Sequence, residues 1–200
     1  MPDYAAIYDD IITRQENYNR AEHSPGYRAC VEASPRLSGL SGRLLDVGCG
    51  VGFALEYLAG QPFRFDVWGV DASAVAVERA QERLARSHGL PSDRVVRIEH
   101  QILPFANRFF DLVTCFDMLE HLDEPDIDDS LSEMFRVLAP GGTFLSSVSC
   151  RPAGSQDLHG DNLHRTVRSV DWWLSKTNPD RAIYDAAQAQ LTLWKRVTKG

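Results

Sequence analysis

The feature that most constrains the fold is an alternation of short apolar runs and helical stretches that begins at Arg43. Strands that alternate with helices are typical of βαβ units, in which a helix connects neighbouring parallel strands. The apolar runs predict strands at 44–47, 65–70, 95–98, 110–116 and 143–148, with a turn at 140–142 before the last of them. The intervening helical periodicity predicts helices at 53–59, 73–86 and 126–138. The pattern therefore predicts an α/β fold with a mainly parallel sheet.

Both ends of the chain depart from this alternation. Apolar side chains repeat at helical spacing over 4–12, and Ser24 with Pro25 is a typical cap and first turn of a second helix. After a polar stretch at 151–168, we expect a helix at 169–176. Two final strands, at 181–186 and 191–197, are expected to pair as an antiparallel hairpin.

Length and composition favour a single soluble domain over residues 1–200. With 44% hydrophobic and 24% charged residues, the chain is unlike disordered or coiled-coil sequences. We expect a helical lid at 1–42, a cofactor-binding core at 43–149, and a substrate loop, helix and hairpin at 150–200. The acidic N-terminus and the lack of a long apolar run predict a cytoplasmic protein that is not bound to membranes. The sequence leaves the oligomeric state open between a monomer and a homodimer. The four cysteines lie far apart, which predicts reduced thiols and no zinc site.

The net charge of −7 makes nucleic acid a disfavoured partner. The acidic excess lies mainly in residues 43–149, whereas the last fifty residues carry a basic excess. That basic segment could contact a phosphate or carboxylate, or it could simply be solvated.

A glycine-rich segment follows the first predicted strand. Gly48, Gly50 and Gly52 lie between that strand and a helix, where they permit a tight turn, a close approach of a ligand and close helix packing. A second strand ends at Asp71, 23 residues after Gly48, where a carboxylate can hold a ribose diol. The two features together predict a site for a cofactor that contains a nucleoside.

The acid that precedes the glycines distinguishes between cofactors. Dinucleotide sites usually carry G-x-G-x-x-G, whereas this chain has G-x-G-x-G with Asp46 two residues before the first glycine. A pyrophosphate would be repelled by this carboxylate, while the ammonium group of an amino acid would bind it through a charge-assisted hydrogen bond.

Four segments, in order and spacing, match a known family. They are LLDVGCGVG at 44–52, VWGVDAS at 67–73, LPFANRFFDLVTCFDMLEHLDEP at 103–125 and RVLAPGGTFLSSV at 136–148. The chain thereby resembles the class I S-adenosylmethionine-dependent methyltransferases of the small-molecule type over about residues 43–197. The resemblance implies a Rossmann-like, doubly wound sheet of seven strands with a C-terminal antiparallel hairpin. It also implies S-adenosylmethionine as the cofactor and S-adenosylhomocysteine as the product.

The resemblance also implies cofactor contacts at matching positions. Those contacts are Asp46, Gly48, Cys49, Gly50, Gly52, Asp71, Ala72 and Phe116. Asp71 would hold the ribose hydroxyls, and Ala72 would lie beside the adenine. Where the family often has Gly-Asp-Ala, this chain differs, so Glu99, His100 and Gln101 are all candidates for the adenine contact.

Methyl transfer from a sulfonium is an in-line displacement that needs alignment and, for some nucleophiles, a base. The candidates for a catalytic group are His121, Asp117, His159 and His164. His121 is favoured because histidine titrates near neutral pH, although it could instead orient the acidic stretch at 123–129. Asp117 could point toward the transfer site or cap a turn, and we expect Glu120 to be structural.

The acceptor pocket is expected to form from the loop at 156–165 and the tyrosine-rich N-terminal helices, because specificity in such folds lies on loops. The candidate substrate contacts are Tyr18, His23, Tyr27 and Arg165. A divalent metal could instead bind the polar loop through Asp157, His159, Asp161 and His164, but their spacing fits no familiar site, and we expect no metal.

The sequence thus favours an S-adenosylmethionine-dependent methyltransferase that acts on a small molecule such as a natural product or a sugar. One alternative is a nucleic-acid methyltransferase, although the chain has neither an Asn-Pro-Pro-Tyr-like element nor a Pro-Cys nucleophile after the fourth strand. Another is a module that binds the cofactor without turnover.

Overall fold

The computed structural model describes residues 3–62, 64–99 and 101–198 and divides the chain into two compact units, 1–100 and 101–200. The described part of the first unit contains α1 (Tyr4–Arg14), α2 (Pro25–Ala33), β1 (Gly42–Val47), α3 (Phe53–Ala59), β2 (Phe65–Asp71), α4 (Ala74–His88) and β3 (Val95–Arg97). The described part of the second contains β4 (Phe110–Phe116), α5 (Glu124–Val137), β5 (Leu138–Ser149), α6 (Val170–Thr177), β6 (Arg181–Asp185) and β7 (Gln190–Arg196).

The seven strands have the order β3-β2-β1-β4-β5-β7-β6. In the first unit, β1 and β3 both pair parallel with β2. In the second, β4 pairs parallel with β5, while β7 runs antiparallel to both β5 and β6. This topology confirms the predicted seven-stranded, mainly parallel sheet with a C-terminal antiparallel hairpin.

The predicted helix caps are present where the sequence places short polar side chains. Ser24 accepts a hydrogen bond from the Tyr27 amide at 3.2 Å and so begins α2, with Pro25 in the first turn. Ser73 caps α4 in the same way, and Gly89 ends that helix in a left-handed conformation. Such caps satisfy backbone groups that have no partner inside the helix, so these boundaries follow from local sequence.

The turn predicted at 140–142 is wrong, because these residues lie inside β5. The pairing of β4 with β5 shifts from Phe110–Leu138 to Leu112–Thr143, so β5 carries extra residues that bulge out of register. Gly141 allows the bulge through a φ of +83°. The strand therefore begins five residues before the predicted start at Thr143.

A polar clamp holds α1 on α4 within the first unit. The Asp9 carboxylate accepts hydrogen bonds from the Ser73 hydroxyl at 2.5 Å and from the Val75 amide at 3.1 Å. The Arg79 guanidinium donates to the Ile12 carbonyl at 3.0 Å. The N-terminal helix is thus anchored at the first turn of α4. In the described part of the chain, no helix has the length and apolar character to cross a membrane.

Candidate functional site

The glycine-rich segment forms a tight turn between β1 and α3. The amides of Gly48 and Cys49 both donate to the Val70 carbonyl, at 2.9 and 3.0 Å, which joins the turn to the end of β2. Gly48, Gly50 and Gly52 all have positive φ, at 73°, 54° and 86°. Side chains rarely adopt these conformations, which explains why the segment needs glycine.

Two of the glycines serve different purposes. A Cβ placed on Gly52 would lie 3.0 Å from the Ala80 Cβ, so Gly52 permits the close approach of α4 that the sequence predicted. A Cβ on Gly50 would meet nothing within 4 Å. The backbone at Gly50 therefore borders open space, which is the arrangement that lets a ligand approach the main chain.

Asp71 lies at the end of β2 and binds the turn directly. Its Oδ2 accepts from the Gly50 amide at 2.8 Å, and its Oδ1 accepts from the Ser73 amide at 2.9 Å. Burial raises the pKa of Asp71 above its usual value, although hydrogen bonds from backbone amides oppose the shift. Each carboxylate oxygen can accept a further hydrogen bond, so Asp71 can both order the turn and receive ribose hydroxyls.

Asp46, at the carboxyl end of β1, is 2% exposed. Burial raises the pKa of the Cys30 thiol, and the charge of Asp46 raises it further. The pKa of Cys49 also rises through burial, then through the charges of Asp71 and Asp46. The contributions of the two carboxylates to these shifts indicate a negative potential around the turn, and such a potential favours a positively charged ligand.

The predicted adenine contacts and Phe116 differ in burial and belong to different units. Ala72 is half-buried, and its carbonyl accepts from the Arg97 guanidinium at 3.1 Å. The Ile98 amide donates to the Asp71 carbonyl at 2.9 Å, which brings the segment before exposed Glu99 beside Asp71. His100 lies outside the described residues. In the second unit, Gln101 is half-buried and Phe116 is 6% exposed.

A second group of candidate functional side chains lies in the second unit. We call Asp117, Glu120, His121 and His164 the carboxylate–histidine cluster. Asp117 has a φ of +49°, and its Oδ1 accepts from the Ser147 hydroxyl at 2.8 Å and from the Gln190 amide. The rings of His121 and His164 meet edge to face with centroids 4.7 Å apart. Three of the four predicted catalytic residues are therefore brought together.

Glu120, which the sequence analysis expected to be structural, is fully buried in this cluster. Its Oε1 accepts from the Ser149 amide at 2.7 Å. Its Oε2 has no hydrogen-bond partner in the described part of the chain. Burial raises the pKa of Glu120, and the nearby charge of Asp117 raises it further. In the sequence, Glu120 lies between Leu119 and Leu122, and both leucines are buried in the structure. This apolar context is the signal that could have predicted the burial of Glu120.

The pKa of His121 bears on its predicted role as a base. Burial lowers this pKa to about 3, and the neighbouring His164 contributes to the shift. Its Nδ1 lies 3.0 Å from the Leu163 carbonyl. An efficient general base has a pKa near the working pH, so His121 is a neutral imidazole with little affinity for a proton at neutral pH. Its catalytic role stays a prediction.

His159 is separate from the cluster. Its side chain is exposed, and its amide donates to the Asp157 carboxylate at 2.8 Å. The same carboxylate accepts from the Asp161 amide at 3.0 Å and pairs with Arg165 at 3.3 Å. Asp157 thus organises its own loop, and Arg165, a predicted substrate contact, is engaged in that ion pair.

The other predicted substrate contacts belong to the first unit. Tyr18 packs against a cluster of Ile12, Val51 and Ala76, and burial raises its pKa. Tyr27 contacts the ring of Phe53, with centroids 6.2 Å apart, at the start of α3. His23 is exposed.

Comparison with known proteins identifies the family. A family model described as a methyltransferase domain matches residues 44–142, which include the glycine-rich turn, Asp71 and β4. The chain belongs to the class I S-adenosylmethionine-dependent methyltransferases. The match confirms the family that the four sequence segments implied, and with it S-adenosylmethionine as the cofactor.

Two curated relatives are similar to this chain across its core. A ubiquinone biosynthesis O-methyltransferase from Xanthomonas oryzae pv. oryzae is 36% identical over 127 residues, which are 60% of this chain and 48% of that protein. A probable chloroplastic tocopherol O-methyltransferase from Oryza sativa subsp. japonica is 34% identical over 133 residues, or 64% of this chain and 35% of that protein. The chain thus spans about half or less of the length of the relatives it matches.

Solved structures support the fold. A phosphoethanolamine N-methyltransferase from Haemonchus contortus, in complex with S-adenosylmethionine, superimposes with a TM-score of 0.69 at 20% identity. The match covers 94% of this chain and 48% of that protein. At this identity, the likeness shows a common fold and does not extend to the substrate.

Proposed function

We propose that this methyltransferase binds S-adenosylmethionine at its glycine-rich turn and transfers the methyl group to an oxygen atom of a small molecule. The observation that carries the proposal is the turn itself, with open space at Gly50, the Asp71 carboxylate beside it and buried Asp46 behind it. The names of the two O-methyltransferase relatives support oxygen as the acceptor atom.

The chemistry of the turn fits this cofactor. When bound, the cofactor supplies an electrophilic methyl group on a positively charged sulfur. Asp46 and Asp71 create a negative potential that suits the ammonium and sulfonium charges and would repel a pyrophosphate. Asp71 would accept hydrogen bonds from the ribose hydroxyls through the lone pairs that the Gly50 and Ser73 amides leave available.

The transfer itself needs few protein groups. The acceptor oxygen forms a bond to the methyl carbon, the sulfur–carbon bond breaks, and its electron pair remains on sulfur. The hydroxyl proton leaves to a base or to water. Alignment of the three reacting centres supplies most of the acceleration in such a step. With a pKa of about 3, His121 accepts a hydrogen bond more readily than it holds this proton.

A calorimetric titration with S-adenosylmethionine, S-adenosylhomocysteine and, separately, NAD tests the cofactor. We expect micromolar binding of both sulfur compounds and none of NAD. Asp71→Ala should weaken binding about 10- to 150-fold for each ribose hydrogen bond that is lost, since a hydrogen bond to a charged group contributes about 1.5–3 kcal/mol. Asp93→Ala, an exposed carboxylate in the same unit, is the matched control and should bind as the wild type does.

Turnover separates the proposed acceptor from the alternatives. Release of S-adenosylhomocysteine should depend on an added hydroxylated small molecule, such as a phenol or a sugar. Release that depends on RNA or DNA oligonucleotides instead would overturn the small-molecule acceptor. Tight cofactor binding with no turnover across a broad acceptor panel would indicate a binding module and contradict the proposed activity.

A further inference from the structure

We propose that Glu120, His121 and His164 form a binding site for a divalent transition-metal cation. One possible ligand atom from each of these side chains lies within 4.8 Å of the other two. Two imidazoles and one carboxylate are a donor set that suits Zn²⁺, Mn²⁺, Fe²⁺ or Co²⁺ better than Mg²⁺ or Ca²⁺. Three protein ligands would leave a coordination position for water or a substrate oxygen, as catalytic metal sites do.

The histidine tautomers fit metal binding. The Nδ1 of His121 lies 3.0 Å from the Leu163 carbonyl, and the Nδ1 of His164 lies 2.5 Å from the Arg151 carbonyl. A carbonyl oxygen can only accept, so in both rings Nδ1 carries the hydrogen and Nε2 carries the lone pair. Metal-binding histidines usually donate their other ring N–H to such a partner, which holds the ring in orientation.

The buried carboxylate supplies a second, independent observation. Glu120 has no exposed surface, and its Oε2 makes no hydrogen bond with any described residue. An unpartnered buried carboxylate oxygen is costly, and coordination to a cation would satisfy it. Its Oε1 is held by the Ser149 amide at 2.7 Å, so the group is already oriented. The charge of Asp117 acts on the same group and would further attract a cation.

Local chain geometry assembles the three ligands. Glu120 and His121 lie in a short 3₁₀ turn, Leu119–His121, directly after β4. The distant segment is attached by the Thr166 amide, which donates to the Glu120 carbonyl at 3.0 Å, and by the Thr166 hydroxyl, which donates to the Leu122 carbonyl at 2.7 Å. Both histidines are half-buried, so part of each side chain is accessible to solvent and to an ion dissolved in it.

A cation at this site would change the acidity of a hydroxyl group that binds to it. A hydroxyl oxygen bound in the open position would lose its proton more readily, because the cation stabilises the oxygen anion. This step rests on the proposed function, whereas metal binding does not. The inference specifies the acceptor class further, as a molecule that presents a hydroxyl group able to coordinate a metal.

The test uses the 200-residue chain without a histidine tag, treated with a chelator and then titrated with Co²⁺, Zn²⁺, Mn²⁺ and Mg²⁺ in separate experiments. We expect one saturable site for Co²⁺ and Zn²⁺, tighter than for Mg²⁺, with a visible absorption spectrum for bound Co²⁺. His164→Ala removes a ligand atom and Glu120→Gln replaces a charged carboxylate with a neutral amide, so each should weaken Co²⁺ binding by at least the roughly 10- to 100-fold that is typical for loss of a group supporting the ligands. His88→Ala, on α4, is the matched control.

The outcomes distinguish the possible errors. Circular dichroism and thermal melts show whether each variant folds. If Glu120→Gln does not fold, His164→Ala alone still tests the site. No saturable binding by the wild type, or equal binding by His164→Ala, would overturn the site. Loss of binding in His159→Ala with retention in His164→Ala would place the metal on the polar loop instead. Cofactor binding is measured separately, so its failure does not bear on the metal.

Discussion

Replacement of Gly52 by alanine probes the packing that shapes the glycine-rich turn. Gly52 caps α3 with φ +86° and ψ +16°, a left-handed conformation that costs an L-residue about 1–2 kcal/mol. The added Cβ would also lie 3.0 Å from the Ala80 Cβ and 3.1 Å from its Cα. Because Ala80 belongs to the fully buried face of α4, it cannot yield easily, and overpacking of this kind costs about 1–3 kcal/mol.

Gly89→Ala separates these two effects. Gly89 also has a left-handed φ, +64°, but a Cβ there would meet nothing within 4 Å. Both substitutions restrict the conformations of the unfolded chain, which raises the free energy of unfolding by about 0.4–1 kcal/mol. The net free energy of unfolding should therefore fall by about 2–4 kcal/mol in Gly52→Ala and by about 1 kcal/mol or less in Gly89→Ala.

Thermal unfolding followed by circular dichroism measures the difference. For a domain of this size, 1 kcal/mol corresponds to about 2–4 °C in Tm, so Gly52→Ala should melt about 4–16 °C below the wild type. Gly89→Ala should melt within about 4 °C of it. Equal losses in the two variants would refute the packing argument, because they would show that the backbone conformation alone accounts for the cost.

Two further predictions concern acid stability and thiol reactivity. Hydrogen bonds from Arg136 hold the pKa of Glu133 below its usual value, so this stabilisation is complete above the usual value and is lost as pH falls through the lowered one. The midpoint of urea unfolding should thus decline more steeply on acidification in the wild type than in Glu133→Gln, and parallel profiles would contradict this. For the thiols, Ellman's reagent should modify at most Cys150 in the folded protein, because the other three cysteines are buried, and all four after denaturation. Rapid reaction of two or more thiols in the folded protein would show that the buried cysteines are accessible.

Features that depend on neighbouring residues were readable in the sequence. The strand at Phe110–Phe116 and the helix at Phe53–Ala59 have the predicted bounds, because apolar periodicity and flanking glycines act over a few residues. The three positive φ angles of the glycine-rich turn follow from the same local chemistry. Family motifs then supplied the sheet topology, which periodicity alone does not specify.

Features that depend on distant partners needed the tertiary structure. The bulge at 140–142 arises from the pairing of β5 with β4, and the sequence shows only glycines that would equally suit a turn. Asp9 accepts hydrogen bonds from the Ser73 hydroxyl and the Val75 amide at the start of α4, although 64 residues separate Asp9 from Ser73. No local pattern encodes this contact. Tyr18 packs into a cluster with Val51 for the same reason.

The cluster around Glu120 shows both influences. The sequence alone identified His121, just after a predicted strand, and His164, in the polar loop, as candidate catalytic groups. It could not show that the segments containing these residues meet, since a hydrogen bond between residues 120 and 166 depends on how the whole second unit packs. Residue type and spacing therefore determined the glycine-rich turn that is proposed to bind the cofactor. Tertiary packing decided which polar side chains lie together in one buried cluster. An unpartnered charge is costly in such a place, so the binding of a ligand to it becomes favourable.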